Sequence, residues 1–349
     1  MAFHKRLAVR VIAVLAAIIL SLLLTVVLVG AEPFKLIETL VSTLGTPRKF
    51  WKFAKDTAVL LCISLAITPA FRMRFWNIGA EGQTLVGALA SAAMAFYFGG
   101  KIPNALLLVL MLAAAVLAGA IWGGIPAIFK AKWETNETLF TLMMNYVATG
   151  LVAFFLVIWT PSGSSVLGAL PFGHLPVIGN EYLLLIIVVL ALTALMYVYL
   201  RYTKHGYEIS VVGESENTAR YIGIGVGKVI VRTMLVSGAV CGLAGFLIVG
   251  ALDHSITTTT VGGLGFTAIM VSWLAKFNPA IMVGTAALVA FLRQGAAQMS
   301  TDFNIDSAFP DMMVGIVLFF IIGCEFFIGY KLKFRKSHKV ADKKGGDKQ

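Results

Sequence analysis

The chain has 349 residues, of which 59% are apolar and only 13% charged, with a mean hydropathy of +0.89. Soluble domains carry about 25% charged residues, so this composition excludes an ordinary soluble enzyme, a disordered chain and a disulfide-stapled secreted domain. The net charge of +11 would suggest nucleic acid in a soluble protein. Here the basic residues fall between apolar runs and in the tail, so orientation in a lipid bilayer explains them better and no nucleic-acid partner is expected.

The first apolar run, 11–30, follows Lys5, Arg6 and Arg10 and lacks a small-residue cleavage site. It reads as a retained helix and not as a signal peptide. The stretch 31–56 carries Lys35, Arg48, Lys49, Lys52 and Lys55 together with Phe50, Trp51 and Phe53, and reads as an amphipathic segment lying in the outer interface. Further apolar runs follow at 57–75, 77–99, 104–128, 138–160, 182–200, 229–251, 264–275, 280–299 and 311–330. At about 20 residues per span, the pattern predicts an all-α polytopic membrane protein of about ten transmembrane helices, one domain over 1–330. An even number of spans places both termini on one side. With that side cytoplasmic, 21 of the 28 Lys and Arg lie on inner segments, as the positive-inside rule requires. The five in 31–56 go against it. The tail, 331–349, is basic and contains glycine; it is expected to be disordered and close to anionic lipid, or else to act as a plain stop-transfer flank. Cys62, Cys241 and Cys324 each sit inside an apolar run, and no CxxC or His/Cys cluster points to a disulfide frame or a metal.

Polar residues inside a bilayer are costly, so each interruption of the apolar pattern calls for a reason. The first is Phe75-Trp-Asn-Ile-Gly-Ala-Glu-Gly-Gln83, between two apolar runs. Its glycines and amides allow a helix to break, and a helix starting near Ile78 would turn free N–H groups toward a polar molecule. Equally, Arg72 and Arg74 can mark a cytoplasmic helix end while Glu81 complements a helix dipole. The second is Asn136-Glu-Thr followed by Thr141 and Asn145, one polar face at helical spacing. Thr138 can instead cap the helix, with Thr141 bonding back to the preceding turn. The third is the inner stretch 201–228, where Ser215 precedes a short helical pattern that stops at Gly223. It reads as a docking element for a partner or as an idle connector. Its Gly-Ile-Gly-Val-Gly-Lys228 is not a phosphate-binding loop: Ile222 stands at the required first glycine and Val229 follows the lysine. The fourth is 253–266, where Gly262, Gly263 and Gly265 permit a half-helix break or form a plain outer loop, and where Asp253 and His254 have no third catalytic partner in view. The Gly- and Ala-rich runs 113–124 and 237–245 suit close helix contact.

Taken together, these blocks resemble the permease subunits of bacterial ABC importers for nucleosides, within the larger group that also serves ribose-type sugars and branched-chain amino acids. Phe75-Trp-Asn-Ile-Gly-Ala-Glu-Gly-Gln83 is similar to that family's Asn-Ile-Gly-x-Glu-Gly-Gln signature. Asn136-Glu-Thr with Thr141-Leu-Met-Met-Asn-Tyr146 is similar to its Asn-Glu-Val…Thr-x-Met-Leu-Asn-Tyr block. The segment 206–224, followed by Ser237-Gly-Ala-Val-Cys-Gly-Leu-Ala-Gly245, resembles its ATPase-docking loop and the next span. Gly263-Leu-Gly-Phe-Thr-Ala-Ile269 resembles its Gly-x-Gly-Phe-x-x-Ile segment. The blocks occur in family order over 57–330. Glu208 and Arg220 depart from the usual Arg and Ala of the docking loop.

The resemblance implies a transport subunit with no catalytic or nucleotide site, metal or cofactor of its own, in the bacterial cell membrane. ATP is used by a cytoplasmic ATPase that grips Gly206, Glu208, Gly213, Glu214, Asn217, Ala219, Arg220 and Gly223. An extracellular substrate-binding lipoprotein delivers the solute, and a second, different permease chain completes the pathway. Spans 2–5 and 7–10 then form an inverted repeat whose polar breaks face that pathway. A nucleoside offers an apolar base and several hydroxyls, so Phe75, Trp76, Asn77, Glu81, Gln83, Thr141, Asn145, Gly265 and Phe266 are expected to line the path. Two rivals stand beside this reading. A secondary transporter or channel would use an intramembrane acid such as Glu81 or Glu325, and neighbouring genes for an ATPase and a lipoprotein discriminate against it. A membrane enzyme would need a metal cluster, a nucleophile with a base, or paired carboxylates, and the five histidines are scattered.

Overall fold

The computed structural model describes residues 32–160, 167–306 and 308–329, together with 16, 19, 20, 23 and 26. The first apolar run and the basic tail therefore lie outside the described residues, and Glu325 lies where only the helix backbone is described. Among the described residues the chain is helical, with one isolated bridge between Ile178 and Asn180 and no strand. Among the described residues, six helices are long and apolar enough to cross a bilayer, and Leu264–Leu274 is a shorter apolar one.

The stretch 31–56 does not form a single interfacial segment. Helix α1, Pro33–Ser42, lays Leu36 and Leu40 against the bundle. Thr46 then caps a new helix through the Lys49 N–H, and Pro47 opens it at a position where no donor is needed. This helix, α2 (Pro47–Arg72), runs on without a break, so the span starts ten residues earlier than hydropathy alone implies. Every residue from 58 to 71 is buried, the signature of a central helix covered on all sides.

Helices α3 (Ala80–Phe98), α4 (Asn104–Trp133) and α5 (Glu137–Trp159) follow. Helix α3 is rich in Ala, carries Gly82, Gly87, Gln83 and Ser91, and is mostly buried, so protein and not lipid is its solvent. Helix α5 turns Thr141, Asn145, Ala148, Val152 and Leu156 toward it at helical spacing. The cap of α5 is Asn136, whose side chain accepts the Leu139 N–H, and not Thr138; Thr141 does bond back, to the Glu137 carbonyl at 2.7 Å. Helix α6 (Leu183–Tyr202) leads into α7 (Lys204–Glu214) and α8 (Glu216–Tyr221). Helix α9 (Val226–Ile248) ends in a π-turn, Val249–Asp253. Then come α10 (Leu264–Leu274), α11 (Pro279–Asp302) and α12 (Phe309–Gly329).

Helix α9 packs on α4, α3 and α2, and α2 also meets α6, α10 and α11. The α9–α4 seam depends on small residues. A methyl on Gly242 would strike the Ala115 carbonyl, and one on Gly119 would lie 2.8 Å from the Gly242 Cα. The backbones can approach this closely only without side chains between them. The two Gly/Ala-rich runs of the sequence therefore meet each other.

Candidate functional site

Helix α2 ends at Arg72, and Arg74 takes a left-handed φ of 62° that reverses the chain before α3. A helix start buried this way leaves N–H groups without intrahelical partners. Side chains supply those partners. Asn77 Oδ1 accepts from the Gly79 N–H at 3.0 Å, Thr141 Oγ1 from the Ile78 N–H at 3.1 Å and Asn145 Oδ1 from the Gly82 N–H at 2.8 Å. Asn145 Nδ2 in turn donates to the Ile78 carbonyl at 2.9 Å. Asn77 and Gln83 exchange reciprocal amide hydrogen bonds of 3.1 and 3.3 Å, and Asn77 also donates to Ser237 Oγ on α9. Asn77, Gln83, Thr141 and Asn145 are thus brought together but are buried, with their polar atoms directed to the broken backbone. Phe75 is buried as well.

Glu81 reaches across the molecule. Its two oxygens accept the N–H groups of Gly263 and Gly265, each at 2.8 Å. Gly263, with φ of 77°, is the N-cap of α10, so Glu81 supplies a negative charge to the free amides of a helix start. Any side chain at Gly265 would collide with the Glu81 backbone. Helix α10 has 11 residues and rises only ~16 Å, half of a ~30 Å hydrocarbon core. The run 264–275 is therefore a half-helix, entered through the loop 254–263, and not a complete crossing. Nearby, Arg293 Nη2 donates to the Gly262 carbonyl at 2.9 Å and pairs with Asp311 at 3.1 Å.

Beside this junction lies an aromatic surface that the sequence reading found only in part. Trp76 and Phe266 are each 44% exposed, and Met270 and Trp273 extend the same face of α10 at helical spacing, also uncovered. The Trp76 and Trp273 rings lie 5.4 Å apart, and Phe71 and Phe277 back them from behind. The signal for Met270 and Trp273 was present: they follow Phe266 by four and seven residues. Among the described residues no group of three or more His, Cys, Asp or Glu could hold a metal.

At the other end, the segment 204–222 forms two helices where the sequence showed one. Thr203 caps α7 and Ser215 caps α8. Gly206, Ile209, Val212, Gly213 and Ala219 are buried; the apolar ones join a small core with Ala70, Met73 and Phe75, so the segment rests on the α2–α3 break. Gly213 lies against the Arg72 carbonyl so closely that a methyl would strike it. Glu208 pairs with Arg232 of α9 at 2.8 Å, and that hydrogen bond holds its carboxyl below the usual range. Glu214, Asn217, Arg220 and Gly223 face outward, beside Tyr221, which is 92% exposed.

A broken-helix core, a half-helix clamped at its start and a short helical pair beneath them define a membrane permease. The family described as "Branched-chain amino acid transport system / permease component" matches residues 50–322, and the chain belongs to it. It is a transport subunit of the ABC class and not an enzyme, a multi-pass protein of the cell membrane. It is 31% identical to the guanosine ABC transporter permease protein NupP of Bacillus subtilis, over 74% of this chain and 76% of that one. It is 27% identical to the nucleoside ABC transporter permease protein NupB of Lactococcus lactis, over 97% and 98%. It is 30% identical to the glucose ABC transporter permease protein TsgB13 of Haloferax volcanii, over 91% and 88%.

Proposed function

We propose that this chain is the translocating subunit of an importer for nucleosides, driven by a separate cytoplasmic ATPase that grips α7 and α8. The observation that carries the reading is the meeting of α3 and the half-helix α10 through Glu81, next to the uncovered rings of Trp76, Phe266 and Trp273. Half-helices that start inside the bilayer are where transporters of this kind place their solute. Aromatic faces suit a base, because stacking needs no particular hydrogen-bond pattern. In this reading the exposed rings contact the solute, while Asn77, Gln83, Thr141 and Asn145 hold the break in shape behind them.

The ten-span topology with both termini in the cytoplasm belongs to the same proposal; in it the loop 254–263 and α10 together make one crossing. Helices α3 and α10 occupy the second place in α2–α5 and α9–α12, which is the relation an inverted repeat requires. The uncovered aromatic face is completed by a second permease chain, a different one, so that the path runs between the two. An extracellular lipoprotein brings the solute, and no cofactor is bound by this chain. The ATPase pushes on Glu214, Asn217, Arg220 and Tyr221, and the buried Gly213 and Ala219 pass the motion to the α2–α3 break.

The glucose-named relative favours a second reading, a sugar permease. Uptake of labelled nucleosides and of ribose and glucose in a deletion strain, with unlabelled competitors, separates them. The proposal expects nucleosides to be taken up and to compete with one another. Sugar uptake unaffected by nucleosides would replace it with the second reading.

A further inference from the structure

The end of the molecule opposite α7 and α8 carries the five basic residues that break the positive-inside rule, and the structure gathers four of them around one cleft. The cleft has a volume of about 1080 Å³ and is lined by Arg48, Lys49, Lys52 and Lys55 from α2, with Glu181 as the one facing carboxylate among the described residues. Lys55 is partly used, pairing with Asp56 at 3.3 Å and lying over the Tyr182 ring at 5.8 Å. Lys49 donates to the Ser42 carbonyl. Arg48 and Lys52 are exposed and have no acidic partner among the described residues. The cleft continues past Lys52, Lys55 and Gln294 into a cavity of about 340 Å³. There Arg293 Nη1 is a buried donor with no partner, although Asp56 and Asp253 also line that cavity and leave the excess positive charge in the outer cleft.

The cleft does not open onto an ordinary wet surface. Alongside it, α1 turns Phe34, 87% exposed, and Val41, 68% exposed, away from the protein, together with Ile37, and Phe50 in the first turn of α2 is exposed beside them. Helix α2, at 26 residues, is longer than the ~30 Å hydrocarbon core, so its first turns stand at headgroup depth. Cations on one side, Trp51 and Tyr182 in the lining and bare aliphatic and aromatic groups alongside are the requirements of a lipid whose head is negative.

We infer that this cleft seats the phosphate headgroup of an anionic glycerophospholipid of the outer leaflet, held by Arg48 and Lys52, with its acyl chains along the uncovered face of α1. Bound lipid there neutralises the outer cations that otherwise oppose the chain's orientation. A soluble acidic partner would fit the charge but not the adjoining apolar face.

The test is native mass spectrometry of the full-length chain in detergent with phosphatidylglycerol or phosphatidylcholine added. The wild type should retain phosphatidylglycerol preferentially. Each neutralised cation should weaken that retention about fivefold, so Arg48→Ala with Lys52→Ala should bring it to the phosphatidylcholine level. Equal retention of the two lipids by the wild type would overturn the inference, and this comparison needs no variant to fold. Unchanged preference in the double variant would also overturn it. Release of phosphatidylglycerol by millimolar inorganic phosphate would reassign the cleft to a free anion. A double variant that keeps its lipid but loses stimulation by the transporter's extracellular binding protein would reassign it to a protein partner.

Discussion

Glu81 is the residue on which the arrangement turns. It satisfies two amides 182 and 184 positions away in sequence. Removing a partner from a buried donor costs about 1–3 kcal/mol. Glu81→Ala should therefore lower thermal stability on that order and reduce uptake, while an unchanged unfolding midpoint would show that the clamp contributes nothing. Trp76→Ala and Phe266→Ala should behave differently, because both rings are uncovered. Loss of one stacking contact, worth about 1–3 kcal/mol, should raise the half-saturation concentration for uptake about fivefold or more without a change in melting. At the end away from α7 and α8, His174 and His254 stack at 3.9 Å. Burial, and then the neighbouring His174, hold His254 below its ordinary range against the opposing Val249 backbone hydrogen bond and the carboxylates of Asp253 and Glu181. A histidine kept neutral in the fold stabilises fully above its unfolded value of about 6.5 and loses that contribution as pH falls through and below it. Thermal stability should thus drop between pH 7.5 and 5.5, and His254→Gln should flatten the profile. An equally steep drop in that variant would place the sensitivity elsewhere.

Among the elements, the pair α7 and α8 is the one that the proposed function assigns to transmitting a push. One side is sunk into a core shared with Met73 and Phe75, and the other presents Tyr221 and Arg220 outward. Gly213→Ala would force the Arg72 carbonyl away and lift the pair off the α2–α3 break. ATP hydrolysis by the assembled transporter should persist in that variant while uptake falls; normal coupling would remove the docking role. The sequence made the α8 cap and its glycine stop legible, because Ser215 and Gly223 are local signals. It also marked the α2–α3 break, since no apolar run tolerates Asn77, Glu81 and Gln83 without one. It did not show that α2 begins at Pro47, although Thr46-Pro47 is a cap followed by a first-turn proline, because the basic residues beyond it masked the helix from a hydropathy reading. The short run 264–275 was legible nearly to its ends, because Gly262, Gly263 and Gly265 mark the break before it.

Over the whole molecule, hydropathy placed the described helices well, because lipid and protein interior impose the same demand on side chains. What the sequence could not reveal is which polar residue serves which helix. Glu81 sits in the first turn of α3 and appears designed for it, yet its partners are on α10, a pairing fixed only by tertiary packing. The same holds for Trp76 and Trp273, which form one surface from opposite ends of the chain. In the proposed function this surface passes a nucleoside only when a motor acts through α7 and α8. Reconstitution of the chain in liposomes with its partner permease, its binding protein and its ATPase measures this directly. Labelled nucleoside should accumulate with ATP and the ATPase present and stay outside when either is omitted. Accumulation without the ATPase would contradict the account.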